Sequence, residues 1–458
     1  MVRFHVWFIL FVFGFTGSLW SCASTGSVSL KEEQACGETL LPEREIVKLE
    51  RGPLHDYSSE AAYVVETVEA VHPIFVMEGF LPDNYNTFKA EYLDAASVPM
   101  SRTDFVLATQ HYFTILLDGH MGLGLLERIG DKKRFIRDGG YVTAPFVARN
   151  SRLFLAKDPQ VEVLKIGGVA VGDVFAQIDR YYFYENESAR MLAYAKHVGY
   201  QLMLDLAGAE IYRRNQEIVT DLSILNAGKL STMVVTFRDA DYTDIFPSFT
   251  ADYIIRWEMK GDVFYIDLRR FRADPGIEAC VQAIEAAIGK GVRKFIVDLR
   301  GNPGGSNMEG FKLLMAMGLT VPEYGFFVRG NETAVQRSLW PELGVSYSAP
   351  DASSALNPNK VFISVLTDAE SFSSATDFAV WVADGKFGNV IGEPSSNAPS
   401  SFGDMLEFPL QKSGILINIS YKRFLRPDAN ADQDTLHPDI LVDPKHALEV
   451  ALEYLKDL

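Results

Sequence analysis

The chain has 458 residues, with 43 Lys plus Arg against 60 Asp plus Glu, a formal net charge of −17. Hydrophobic residues at 48% and charged residues at 22% are a globular composition, which rules out wholesale disorder and fibrous repeats, and the length calls for two or three domains. The acidic balance argues against a nucleic-acid binder, three cysteines cannot build a disulfide scaffold, and without a CxxC or HExxH string no metal site is read from spacing.

Arg3 and His5 precede an apolar run, Val6 to Phe15. The run is shorter than the roughly 20 residues of a spanning helix, so residues 1–21 read as a secretory signal. The signal closes in Leu19-Trp20-Ser21-Cys22, which resembles the lipobox of bacterial lipoproteins. That resemblance implies a lipid on Cys22, attachment to a membrane and a place in the bacterial cell envelope. Residues 22–56 are polar and aperiodic and read as a tether. Residues 57–133 read as a small helical domain; Ala62, Val65, Val68 and Val71 recur every three residues until His72-Pro73 stops the helix.

Residues 134–256 read as a β-rich module. Glu162 to Phe175 has the pattern strand, tight turn, strand, helix start; a helix is expected from about Ser188 to Leu206, then strands from Glu217 and Ser231. From 257 to 458 strands and helices alternate, which predicts an α/β core. Strands are expected at 262–268, 294–299, 360–367 and 388–392, and helices at 275–287, 307–317, 374–383 and 446–455. Cys280 falls among the apolar positions of its helix and reads as a buried free thiol.

Three strings carry chemistry. Phe295-Ile-Val-Asp-Leu-Arg-Gly-Asn-Pro-Gly-Gly305 is a buried strand that ends in a glycine-rich turn and opens a helix. Backbone N–H groups at such a turn can face a developing oxyanion. Asp368-Ala-Glu-Ser-Phe-Ser373-Ser-Ala-Thr-Asp also runs from a strand into a helix. There Ser371 suits a helix cap and Ser373 suits a nucleophile at the positive end of the helix dipole. In Asp118-Gly-His120-Met-Gly the histidine is flanked by a turn glycine and stands outside a regular helix.

Taken together and in this order, the strings resemble the tail-specific or C-terminal-processing serine peptidases, in particular the tricorn-like branch. Gly392-Glu-Pro394 and Asp434-Thr-Leu-His-Pro-Asp439 extend the likeness. It implies a crotonase/ClpP-like β-α spiral core, with a PDZ-like module lying around Glu162–Phe175. It further implies Ser373 as nucleophile, with Gly304, Gly305 and Ser374 as oxyanion-hole donors. The Ser–Lys members carry their lysine where this chain has Ala398, so the likeness favours a Ser–His pair with His120 as general base. Asp432 and Asp434 are both candidates for the acid that orients it. Thr376 and Met121 depart from the Glu and Thr that many members carry. The reading that follows is an envelope serine endopeptidase acting on proteins or peptides through an acyl-enzyme, without a cofactor. The alternative is a catalytically weak scaffold that binds an apolar ligand or peptide, which would have no use for Ser373 and His120.

Overall fold

The computed structural model describes residues 44–122, 126–129, 132–135, 139–238, 252–329 and 346–458. The expected signal, Cys22 and Cys36 lie outside them. The first described layer is helical: α1 (Ser58–Val71), α2 (Tyr85–Ala95) and α3 (Arg102–Thr114). The buried face of α1 holds Ala61, Val64, Val65, Val68 and Val71, the spacing of a 3.6-residue period. Ala62 is exposed, so the three-residue spacing misplaced that side chain. As expected, α1 stops at His72-Pro73.

A nine-stranded sheet follows. Its main path includes β1 (Phe146–Arg149), β2 (Arg152–Leu155) and β3 (Asp158–Ile166). The turn after β3 leads through a short strand into α4 (Val171–Asp179), the order foreseen for this stretch. The helix expected at 188–206 is two helices, α5 (Glu187–His197) and α6 (Gln201–Leu206). They part at Gly199, where a side chain would press on Tyr141 and Phe146. The sheet also takes in β4 (Tyr212–Arg214), β5 (Glu217–Asn226) and β6 (Lys229–Arg238), with the two-residue strands Glu45–Ile46 and Tyr141–Val142 pairing onto β4 and β6.

The remaining chain builds an α/β core around a six-stranded sheet. Strand β7 (Ile255–Lys260) pairs antiparallel with β8 (Val263–Leu268), so this sheet begins just before residue 257. Helix α7 (Pro275–Gly289) crosses to the parallel strand β9 (Lys294–Asp298), followed by α8 (Asn307–Ala316). A second sheet has four strands: β10 (Gly325–Val328) and β11 (Ser346–Ser348), with two more below. The first sheet continues in parallel through β12 (Phe362–Thr367), helix α9 (Ser374–Asp384) and β13 (Gly388–Gly392). The long hairpin β14 (Phe402–Pro409) and β15 (Leu416–Leu425) completes the four-stranded sheet. The short strand β16 (Ile440–Leu441) and helix α10 (Pro444–Lys456) end the chain.

The parallel strands are buried on both faces, as their continuous apolar runs require. Phe295, Val297 and Val365 face the cluster under α7, α8 and α9, which also holds Cys280 as a buried free thiol. Ile296 and Leu366 face Ala447, Ala451 and Leu455 of α10. The helical layer shares its core with the hairpin: Val64, Phe105 and Phe113 pack in one cluster with Phe408, Ile417 and Ile419. No described helix is long and apolar enough to cross a membrane.

Phe408 is 1% exposed in that shared cluster. Phe408→Ala is therefore expected to cost about 3–5 kcal/mol in urea unfolding.

Candidate functional site

Two loops leave the C-terminal ends of the adjacent parallel strands β9 and β12, the edge where open α/β sheets place their ligands. Buried side chains bind these loops together. Ser371 Oγ donates to Leu299 O at 2.8 Å, and Asp368 Oδ1 accepts from Gly301 N at 2.9 Å. Asn302, fully buried, donates through Nδ2 to Leu268 O and accepts at Oδ1 from Gly304 N, both at 2.8 Å. Phe372 N donates to Asn302 O at 3.0 Å. Ser371 is thus a loop clamp, where a helix cap was expected. The cap position of α9 belongs to Ser373, whose side chain makes no capping bond.

Ser373 has φ 55° and ψ −125°, a left-handed conformation that costs a non-glycine residue energy. Gly304 packs directly against it: a β-carbon there would stand 2.7 Å from Ser373 Cβ and 2.6 Å from Phe372 O. Only glycine fits that approach. The Gly304 amide, expected as an oxyanion donor, is already engaged by Asn302. Among the described residues no protein acceptor pairs with the amides of Gly305 and Ser374. Ser374 Oγ donates to Gly305 O at 2.8 Å, joining the two turns.

His120 lies on the loop after α3. Its ring packs on Phe372, with centroids 4.6 Å apart, and it lines a cavity of about 20 Å³ with Ser373, Gly305 and Ser374. No hydrogen bond joins His120 to Ser373 among the described residues. Asp377, one turn along α9 from Ser373, lines the same cavity, and burial pushes its carboxyl up to about 7.

Acids do surround His120, but they are not Asp432 or Asp434. Both of those are exposed. Asp432 Oδ2 accepts from Ser400 Oγ at 2.7 Å, and both residues line a separate cavity of about 410 Å³. The carboxylates nearest His120 Nδ1 are Asp118 Oδ1 and Glu185 Oε1, each 4.0 Å away.

Asp118 is fully buried on the far side. It accepts from the His120 backbone N–H at 2.7 Å and from His72 Nε2 at 3.2 Å. Ile74 N donates to His72 Nδ1 at 3.3 Å, which leaves the His72 proton on Nε2. Burial alone would raise Asp118; the His72 hydrogen bond and the two facing imidazoles outweigh it and hold the carboxyl below its usual range. Burial lowers His120, against the pull of Asp118 and Asp404, and keeps its imidazole neutral near pH 7.

Glu185 was invisible in the sequence. It follows the aromatic run Tyr181-Tyr-Phe-Tyr184, just before the Asn186 cap of α5. Its carboxylate accepts from Gly119 N at 3.2 Å, from Ala398 N at 2.7 Å and from Asn397 Nδ2. Burial pushes it up to about 7, opposed by the Ala398 amide and supported by the charge of Asp118. Asn186 Nδ2 and Ser188 Oγ then donate to Ser395 O and Pro394 O, seating the 394–398 loop on the start of α5. Ala398, where a Ser–Lys enzyme would carry its base, thus serves through its backbone to hold Glu185. Asp118, His120 and Glu185 are also the one cluster of potential metal ligands among the described residues.

The model of peptidase family S41 matches residues 262–442. Residues 262–442 thus match an S41 peptidase core. The match contains Ser373, both turn glycines, Asp432 and Asp434, and leaves His120 and Glu185 outside. The S41 match supports a serine-type peptidase. No curated protein matches the chain. Among solved structures it is similar to mature CPAF complexed with lactacystin, at 16% identity and a TM-score of 0.58, covering 88% of this chain and 97% of that one. It is also similar to a serine-to-alanine mutant of CPAF, at 13% identity and a TM-score of 0.60, covering 88% and 96%. At such identities the likeness is one of fold, and it extends beyond the S41 core to the helical layer and the β-rich module.

The raised Glu185 carboxyl gives a test with a definite sign. A carboxyl that holds its proton more tightly when folded loses stability as pH rises from its ordinary 4.5 to about 7. Glu185→Gln should flatten this part of the stability profile, read by urea unfolding at about pH 5 and about pH 7.5.

Proposed function

We propose that the protein is a serine endopeptidase of the bacterial envelope, anchored through lipid on Cys22, with Ser373 as nucleophile and His120 as general base. The observation that carries the reading is the pairing of a strained, uncapped serine at a helix N-terminus with a buried neutral histidine on one small cavity. The helix dipole favours negative charge at Ser373. Its sharp turn holds Oγ clear of the helix, as nucleophile turns do.

In this mechanism His120 Nε2 accepts the Ser373 proton as Oγ attacks a peptide carbonyl. The oxyanion sits on the Gly305 and Ser374 amides, because the Gly304 amide is committed to Asn302. His120 then gives the proton to the leaving amine, and water hydrolyses the acyl-enzyme by the reverse path. Glu185 faces Nδ1 and takes the orienting place, supplanting Asp432 and Asp434. Asp118, bonded to His72, fixes the loop. Substrate entry closes the gap between serine and histidine, since catalytic hydrogen bonds often tighten only with substrate bound.

A fluorescent fluorophosphonate should acylate Ser373 in the folded protein. Ser373→Ala should abolish labelling, and His120→Ala should slow it by about 10²-fold or more. Wild-type labelling in Ser373→Ala would refute the nucleophile; wild-type labelling in His120→Ala would refute the base. Because His120 is lowered from 6.5, labelling should hold as pH falls through 6.5 and fail only below it. Fatty-acid labelling that disappears in Cys22→Ala would support the anchor, and its absence from the wild type would refute it.

A further inference from the structure

His120 Nδ1 is a buried nitrogen with no hydrogen-bond partner, in a side chain 7% exposed. Buried polar atoms are seldom left so. It faces Asp118 Oδ1 and Glu185 Oε1, at 4.0 Å each, too far for hydrogen bonds. The three atoms lie within 4.8 Å of one another. Two donors bound to one small cation at about 2.0–2.2 Å stand about 3.4 Å apart in tetrahedral geometry. Inward shifts of about 0.3 Å per donor for the pairs with His120, and of at most about 0.7 Å per donor between the two carboxylates, would therefore complete such a site. Second contacts already hold the ligands: His72 on Asp118, and Gly119, Asn397 and Ala398 on Glu185. Metal sites depend on such outer partners. The neighbouring cation, Arg423, lies over the Phe402 ring at 4.7 Å and makes no ion pair with either carboxylate among the described residues.

We propose that Asp118, His120 and Glu185 form an inhibitory site for a divalent transition-metal cation of the zinc class. One imidazole and two carboxylates suit zinc better than magnesium or calcium, which take oxygen ligands. Inhibition follows from the ring's two nitrogens and rests on the peptidase reading. A neutral imidazole has one proton and one free lone pair. A cation that takes the Nδ1 lone pair leaves the proton on Nε2. Nε2 then has no lone pair with which to accept the Ser373 proton. The Nδ1 proton is displaced and Nε2 takes one up from solvent, so the net change is a tautomer shift, and removal of the cation lets the ring return to its basic form.

The test separates binding from activity. Zinc chloride is titrated calorimetrically into the full chain, its Ser373→Ala variant, and the His120→Ala and Glu185→Gln variants, with melting curves to confirm folding. One equivalent should bind to the wild type and to Ser373→Ala alike, and at least about tenfold more weakly to the other two. Micromolar zinc should suppress fluorophosphonate labelling of the wild type, and a chelator should restore it. Calcium and magnesium should do neither. Absence of binding, or equal binding by all four proteins, would overturn the site while leaving the serine reading to its own labelling test. Zinc that binds as expected but leaves labelling untouched would overturn the inhibition.

Discussion

The buried clamp between the loops that follow β9 and β12 is the constraint on which the rest of the site depends. Ser371 and Asp368 use side chains to satisfy backbone groups of the opposite loop, and Asn302 braces its own turn through Gly304 N while its carbonyl accepts from Phe372 N. Each would otherwise be a buried polar group without water, at a cost of roughly 1–3 kcal/mol. The clamp therefore holds Ser373 in its left-handed conformation against the local preference of the chain. Gly304 makes the close approach possible, because no other residue fits between the two turns.

The histidine is positioned by different means. His120 rides on a loop whose carboxylate, Asp118, is tied to His72 at the end of α1. The helices behind it have no separate core and lean on the hairpin β14–β15. From the other side the β-rich module supplies Glu185, which reaches Gly119 and the 397–398 backbone at once. A single buried carboxylate thus joins three segments of the chain around one imidazole.

The α/β core was legible because its signals are local. Apolar runs of β9 and β12, the glycine-rich turn and Pro275 at a helix start each state their structure within a few residues. Ser373 stood out for the same reason, at the junction of a strand and a helix. The acids did not. Spacing to Pro438-Asp439 pointed to Asp432 and Asp434, but distance along the chain says nothing about which carboxylate is buried beside a ring brought in from elsewhere. Glu185 follows the aromatic run Tyr181–Tyr184 and falls in none of the strings that carried chemistry. The role of Gly304 was hidden too, since only the structure shows its amide turned to Asn302.

The shared core of the helical layer and the hairpin bears on when the chain becomes competent. α1 to α3 are made early, but the wall they pack against, Phe402 to Leu425, is made near the end. Contacts so distant in sequence form late, after the loop-closure entropy between them has been met. A growing chain can close the β9 and β12 loops only after residue 372, and it has no surface on which to seat His120 until the hairpin follows. Serine and histidine are thereby kept apart through synthesis by topology alone, a delay that shields the emerging chain and its neighbours from the activity proposed for the finished fold.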